Sequence, residues 1–451
     1  MNSGSRYQRI NFSSRPVGLN DDLLWNGTII QHRIKTFAEI ITGPLFSDLS
    51  NSPPVSDSVT FAIYGCLGSG KTSVMEMIHE ECQQVTTQYG VLHRFHYCHY
   101  SGTTNDIPVE DIEKIIAKSI LSELAGGDDR AIEIFLPYAL EISRSPDILI
   151  SNDYPSVAPG WIASNLEAIA NTLVEFNALA HVVSDKLRGN DSLGGQSQVL
   201  LVLVDDLDHC EYRYLWKVLD AIQRFRPIPN MFFILSVDHQ HLTSALQEKF
   251  SLAKHPVDSD SAVEKYVQYA ISIPEMDKQL LQRFVDNLVL AVYPDDNFGA
   301  TIRQSVAFIQ HAIKDPITPR SIKVLLNKLS MDLNRELFDG WDIVERQRMI
   351  KIRLLEYTWP DFHSLLIMNV NSKDGLEPIK AALIELETAC SEFAESMDET
   401  ILNVALEQIL KVFGINWMRI PTRLARFLGT SPFLFYSGRI QKGATEILRQ
   451  T

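Results

Sequence analysis

The sequence predicts an α/β protein in which a parallel sheet precedes a long run of helices, and three observations carry that expectation. Val59-Thr60-Phe61-Ala62-Ile63-Tyr64 is β-branched and aromatic, and runs straight into Gly65-Cys66-Leu67-Gly68-Ser69-Gly70-Lys71-Thr72. Val199 to Val204 is the most continuous apolar stretch in the chain, as a central parallel strand covered on both faces requires. From Ser259 onward the apolar spacing is almost entirely helical. Strands alternating with helices, then helices alone, imply a parallel-sheet core followed by an α-helical lid and a helical C-terminal region.

The elements follow in order. Asn20-Asp21-Asp22 precedes a predicted helix over Gln31–Ile41, and a polar linker, Ser47–Ser56, separates it from the strand Val59–Tyr64. Val74, Met77, Ile78 and Cys82 predict a helix over Ser73–Gln83. A second strand is expected at Val91–Tyr100, and helical periodicity marks Pro108–Leu124. Further helical signals lie at Ala131–Ser143 and Trp161–Leu187, inside an insert of about residues 126–198. Gly189–Gln196 is rich in turn formers and leads to the carboxylate strand. A helix at Tyr212–Phe225, the breaker Arg226–Asn230 and a strand at Met231–Val237 complete the core. The expected organisation is therefore an N-terminal segment and linker (1–55), a core (56–250), a helical lid (251–332) and a helical C-terminal region (333–451).

The first strand–loop–helix carries chemistry. G-x-x-x-x-G-K-T between a strand and a helix is a phosphate cradle, in which glycines let backbone N–H groups curl around an anion at a helix N-terminus. Residues Gly65 to Ser73 are the expected nucleotide contacts. Lys71 suits the β- and γ-phosphates, and the Thr72 hydroxyl suits Mg²⁺. The apolar strand ends in Asp205-Asp206-Leu207-Asp208. Asp205 is expected to support the Mg²⁺ shell and Asp206 to polarise the attacking water. Asp208 is less defined and suits a helix cap. Ser236 and Asp238, ending the last core strand, are candidates for a polar sensor, with Asp238 equally suited to a cap.

Composition bounds the alternatives. A 451-residue chain with 45% hydrophobic content has ample core for two to four packed units by the ~100–200-residue domain scale. A net charge of −15 argues against a general nucleic-acid or anionic-membrane binder. From Lys411 onward, Lys411, Arg419, Arg423, Arg426, Arg439, Lys442 and Arg449 face only Glu446. That excess reads either as helix-surface charge or as a contact surface for a neighbouring subunit, an acidic partner or nucleic acid. The cysteines at 66, 82, 98, 210 and 390 are scattered without C-x-x-C, which suits unpaired thiols in a reducing cytoplasm. The N-terminus lacks a signal-peptide apolar region, and no window approaches an uninterrupted membrane span. His93, His96, Cys98 and His99 alternate faces on a strand, so metal ligation would need a bulge to bring them together.

Several segments together resemble the KAP family of P-loop NTPases, on the STAND-like side of the AAA+ superclass. The resemblance spans roughly residues 21–330 and lies in Phe95–Tyr100, Asp205–Cys210, Phe233–Leu246, Val263–Pro274 and Thr318–Asn327, in family order. His209 stands where the family has arginine and Cys98 where it has tryptophan, and the insert lacks the membrane helices of many members. Arg224 and Arg226 are candidates to replace the missing arginine. The resemblance implies ATP rather than GTP, consistent with the lack of an N-K-x-D signal near the core. It also implies that Arg320 acts as a sensor reaching from the lid to the γ-phosphate, beside the alternative of a surface arginine at a helix start. Three functions follow: an ATPase driving self-association or partner remodelling in prokaryotic antiphage defence, a slow nucleotide-state switch, or a nucleic-acid remodelling ATPase.

Overall fold

The computed structural model describes residues 29–46, 58–88, 95–101, 198–252, 259–292, 297–314, 316–332, 341–364 and 422–430, with isolated helical positions elsewhere. The helices expected at 108–124, 131–143 and 161–187 lie outside the described residues except for buried Ile116 and Leu187. The chain divides after Pro274 into two compact units.

The first unit holds α1 (Ile29–Phe46), β1 (Val59–Tyr64), α2 (Lys71–Gln88), β2 (Phe95–Ser101), β3 (Val199–Asp205), α3 (Tyr212–Phe225), β4 (Met231–Val237), α4 (His239–Leu252), α5 (Ser259–Glu264) and β5 (Tyr269–Ser272). The strands form one sheet in the order β2-β3-β4-β1-β5, every neighbour parallel. β3 and β4 are buried along their whole length, which explains their unbroken apolar sequences. On one face Phe61 stacks between Phe37 (4.5 Å between ring centroids) and Tyr269 (5.4 Å). On the other, Leu215, Val218, Leu219, Ile222 and Phe225 of α3 pack with Val202, Val204, Phe233 and Leu235. The Trp216 indole donates to the Ala245 carbonyl (2.6 Å), tying α3 to α4.

β5 corrects the all-helical expectation beyond Ser259. Its four residues carry too little pattern to announce a strand, since only Ile271 is buried. Pairing with β1 creates it: Thr60 exchanges bonds with Gln268, and the Ile273 N–H donates to the Tyr64 carbonyl (2.7 Å). The sheet unit consequently runs to Pro274 rather than stopping near residue 250.

The second unit contains α6 (Lys278–Val292), α7 (Asn297–Gln304), α8 (Val306–Ala312), α9 (Pro319–Asp332), α10 (Ile343–Thr358) and α11 (Thr422–Gly429). Asp342 and Glu345 form a reciprocal capping box that starts α10. Phe427 meets Trp359 (5.1 Å) and Phe308 (6.2 Å) in the core, and the Arg423 guanidinium lies over the Trp359 ring at 5.3 Å. Among the described residues, no helix is long and apolar enough to cross a membrane.

His311 on α8 makes this unit acid-sensitive. Burial, reinforced by Arg426, Lys278, Lys351 and Arg423, pushes its imidazole from 6.5 down to about 4. The unfolded chain therefore takes up this proton before the folded one does. The resulting stability is present above pH 6.5 and is lost as pH falls toward about 4. Thermal denaturation from pH 7.5 to pH 4 should show a steeper loss for the wild type than for His311→Gln. Parallel pH profiles would remove His311 as the cause.

Candidate nucleotide site

Because β3, β4 and β1 are adjacent and parallel, their carboxyl ends lie side by side, the edge where open α/β sheets bind ligands. Tyr64, the last residue of β1, registers with Val237 of β4, and Val204 of β3 with Leu235. The phosphate-type loop, the Asp205–Asp208 segment and Ser236–Asp238 therefore share one edge.

The loop has the backbone of a cradle. Gly68 and Gly70 take positive φ values of 79° and 103°, which side-chain-bearing residues rarely adopt. A Cβ at Gly65 would lie 2.5 Å from the Ser69 hydroxyl and 3.3 Å from the Ile273 Cβ, so any side chain there would have to displace Ser69. The Ser69 N–H closes the turn onto the Cys66 carbonyl (3.1 Å), and α2 begins at Lys71. The Ser69 Oγ is buried and finds no hydrogen-bond partner among the described residues. An orphaned hydroxyl beside a glycine cradle at a helix N-terminus fits a phosphate oxygen. Cys66 and Leu67 form the outer lip, with Leu67 exposed, and Thr72 and Ser73 follow in the first turn of α2, both half-buried.

Lys71 is buried, and its ammonium donates to the Gly65 carbonyl (2.8 Å), the Cys66 carbonyl (3.1 Å) and the Asp208 carboxylate (2.5 Å). Asp205, 2% exposed, accepts the Asp206 N–H at 2.8 Å. Asp206 itself is left-handed (φ 58°, ψ 26°) and opens a short 3₁₀ turn, Leu207–His209. Asp tolerates that region better than most residues, and its use here marks a local constraint. The turn brings Asp208 back to Lys71.

Asp208 therefore does not cap the following helix. The N-cap position of α3 is Glu211, which makes no side-chain cap bond, and Asp208 instead pairs with Lys71 and accepts the Asp238 N–H. The Asp238 carboxylate accepts the Gln240 (2.9 Å) and His241 (3.0 Å) N–H groups, which makes it the N-cap of α4. Ser236 is buried in β4 opposite Ile63.

Arg226 lies at the other edge of the sheet. Its carbonyl accepts the Ser58 N–H just before β1 begins, a strand length of about 20 Å from the loop. Arg224 and Arg226, both exposed, thus do not replace the missing family arginine, because α3 runs back to the amino ends of the strands. Arg320 is exposed in the first turn of α9, behind Thr318 and Pro319.

A model of the KAP family P-loop domain matches residues 31–334, well over half of the chain. The protein belongs to the KAP family of P-loop NTPases. No curated protein matches the chain. Among solved structures, the ORC2 protein of Aeropyrum pernix, described as ADPNP–ADP complexes, aligns over 94% of this chain and 86% of that one, at 12% identity and a TM-score of 0.34. A likeness that distant carries no argument. This KAP domain is a nucleotide-binding module whose loop, carboxylate strand and β4 terminus converge at one sheet edge.

The interaction that sequence reasoning missed is Lys71 with Asp208. Its only trace in the sequence is the third acid of Asp-Asp-Leu-Asp, which follows the left-handed Asp206 by two residues.

Proposed function

We propose that this protein is a Mg²⁺-dependent ATPase whose nucleotide state drives self-association or remodelling of a protein partner, in prokaryotic antiphage defence. The observation that carries the hydrolytic part is the convergence of the Lys71 loop with the Asp205–Asp208 segment, measured by the Lys71–Asp208 ion pair. Gly65 to Ser73 would hold the phosphates through loop N–H groups and the Ser69 hydroxyl. Thr72 and Asp205 would hold Mg²⁺ as hard oxygen donors. When bound, that ion supplies positive charge against the phosphate oxygens. Asp206 orients and deprotonates the water, and Lys71 offsets charge on the β- and γ-phosphates. Ser236 adds a buried polar group to the same edge, while Asp238 acts through its cap on α4. The lid, from the end of the sheet unit to about residue 332, carries Arg320 as the sensor. The defence role rests on the family resemblance and the cytoplasmic location on composition.

The slow-switch reading is favoured by one observation: Lys71 has all three ammonium donors satisfied within the protein, so loading must break an internal contact. Nucleic-acid remodelling gains no such support. In the basic region, Arg423 donates to the Ile313 carbonyl and lies over Trp359, a packing role, and the remaining basic residues apart from Arg426 lie outside the described residues.

Phosphate release by the purified protein, with light scattering in parallel with and without ATP·Mg²⁺, tests the proposal. Arg320→Ala should leave ATP affinity within about tenfold, because Lys71 and the loop amides carry most of the phosphate contact. It should nevertheless abolish ATP-dependent compaction or assembly, since the differential contact between states is gone. Loss of assembly with normal turnover favours the switch, and joint loss favours an ATPase completed on assembly. Unchanged size and turnover return Arg320 to a surface role.

A further inference from the structure

We infer that Asp208 is a latch on the phosphate loop: it holds Lys71 away from nucleotide phosphates and must release it for loading. Asp208 is therefore a positioning residue that sets nucleotide affinity. The inference rests on the nucleotide reading above and adds a role for the third acid of the Asp205–Asp208 segment.

The geometry is specific. An ammonium has three N–H donors, and those of Lys71 meet the Gly65 carbonyl, the Cys66 carbonyl and Asp208 Oδ2 at 2.8, 3.1 and 2.5 Å. Both side chains are largely removed from solvent, with 6% and 11% exposure, so the attraction is weakly screened. Any phosphate that takes up Lys71 must displace one of these acceptors. The two carbonyls belong to the loop itself and stay close to the lysine wherever the loop goes. The carboxylate belongs to the turn after β3 and carries the negative charge that competes directly with phosphate.

The second carboxylate oxygen gives the latch an outlet. Asp208 Oδ1 accepts the Asp238 N–H, and the Asp238 side chain caps α4 through Gln240 and His241. The His241 ring also meets the Cys210 carbonyl at 3.0 Å, so the segment after β3 holds the start of α4 at two points. Asp208 thus sits between the loop lysine and the first turn of α4. Once Lys71 transfers to a phosphate, Asp208 loses its charged partner and is free to reorient. That reorientation reports loading to α4 without needing the second unit.

The latch acts as a tax on affinity. When only the unlatched loop accepts phosphate, the apparent dissociation constant exceeds the intrinsic one by the inverse of the unlatched fraction. A charge-assisted hydrogen bond of this kind corresponds to about a tenfold effect or more. Asp208→Asn keeps the size and one acceptor oxygen, and removes the competing charge.

The test is calorimetric titration of ADP into the full chain, wild type and Asp208→Asn, first in EDTA and then with Mg²⁺. The expected result is about tenfold tighter ADP binding by Asp208→Asn in EDTA. Structural damage would weaken binding, so tightening distinguishes the latch from a merely supporting role. Unchanged or weaker affinity in EDTA overturns it. So does a loss confined to the Mg²⁺ titration, which would make Asp208 a metal-facing carboxylate. Failure of the wild type to bind ADP in either buffer would overturn the nucleotide reading itself. Should Asp208→Asn not fold, hydrogen exchange on the wild type decides. ADP should lower protection of the Asp238 amide, and unchanged protection overturns the latch.

Discussion

Lys71→Ala is expected to weaken triphosphate binding at least a hundredfold, whereas Asp206→Asn should keep the nucleotide and lose turnover by about 10²–10⁴. The two residues reach the same sheet edge from different strands and act on different atoms. Lys71 begins α2 directly behind the glycine loop, where its ammonium is held against the loop by the Gly65 and Cys66 carbonyls. Removing it takes away the charged donor closest to the loop and leaves the phosphates to the loop amides and the metal ion. Asp206 stands after β3 in a left-handed conformation at the start of the 3₁₀ turn. An amide there can still bond water but cannot take its proton. A fluorescent ATP analogue would measure binding, and single-turnover phosphate release would measure chemistry. Equal loss of binding in both variants would sink this division of roles. Loss of turnover without loss of binding in Lys71→Ala would reverse it.

Lys351→Met is expected to destabilise the helical unit by about 3 kcal/mol, a large effect for a substitution that keeps an unbranched chain only one atom shorter. Lys351 is fully buried in α10, yet its ammonium is satisfied. It donates to the Leu428 (2.8 Å) and Thr430 (2.5 Å) carbonyls at the end of α11, whose last carbonyls form the negative pole of that helix. The rings of Phe427 and Phe308 lie 5.4 and 5.8 Å from the nitrogen and present their faces to the charge. Methionine would fill most of the space but remove the donor from one buried and one part-buried acceptor. Urea denaturation should show a lower midpoint with little change in slope, because the surface exposed on unfolding is nearly the same. A change below about 1 kcal/mol would mean that water replaces the ammonium at the helix end.

Much of the sheet unit was legible because its signals are local. β1 and β4 begin and end at the predicted residues, and β3 extends one residue further, since unbroken apolar stretches bounded by breakers leave little freedom. α3 also spans the predicted Tyr212–Phe225, where apolar residues recur at helical spacing between an acidic turn and Arg226-Pro227. α1 and α2 run longer than expected, because their ends lack a strong apolar period and are settled by packing and hydrogen bonding. β2 is described from Phe95, which pairs with Val199, and the expected start at Val91 lies outside the described residues.

The sequence by itself determined the chemistry on offer at the site: a glycine loop ending in Lys71-Thr72, and a buried strand ending in carboxylates. Those assignments depend on residue type and short spacing, which the chain carries covalently. Only the tertiary structure decided which groups meet. It put β1 between β4 and β5, made a strand of Tyr269–Ser272 by supplying an edge to pair with, and sent Arg226 to the edge away from the loop. It also turned Asp208 onto Lys71 through one left-handed residue, and buried Lys351 against a helix end that lies 77 residues further along the chain. A charged side chain takes its partner from whatever the fold brings within about 3 Å, and local sequence does not contain that neighbour.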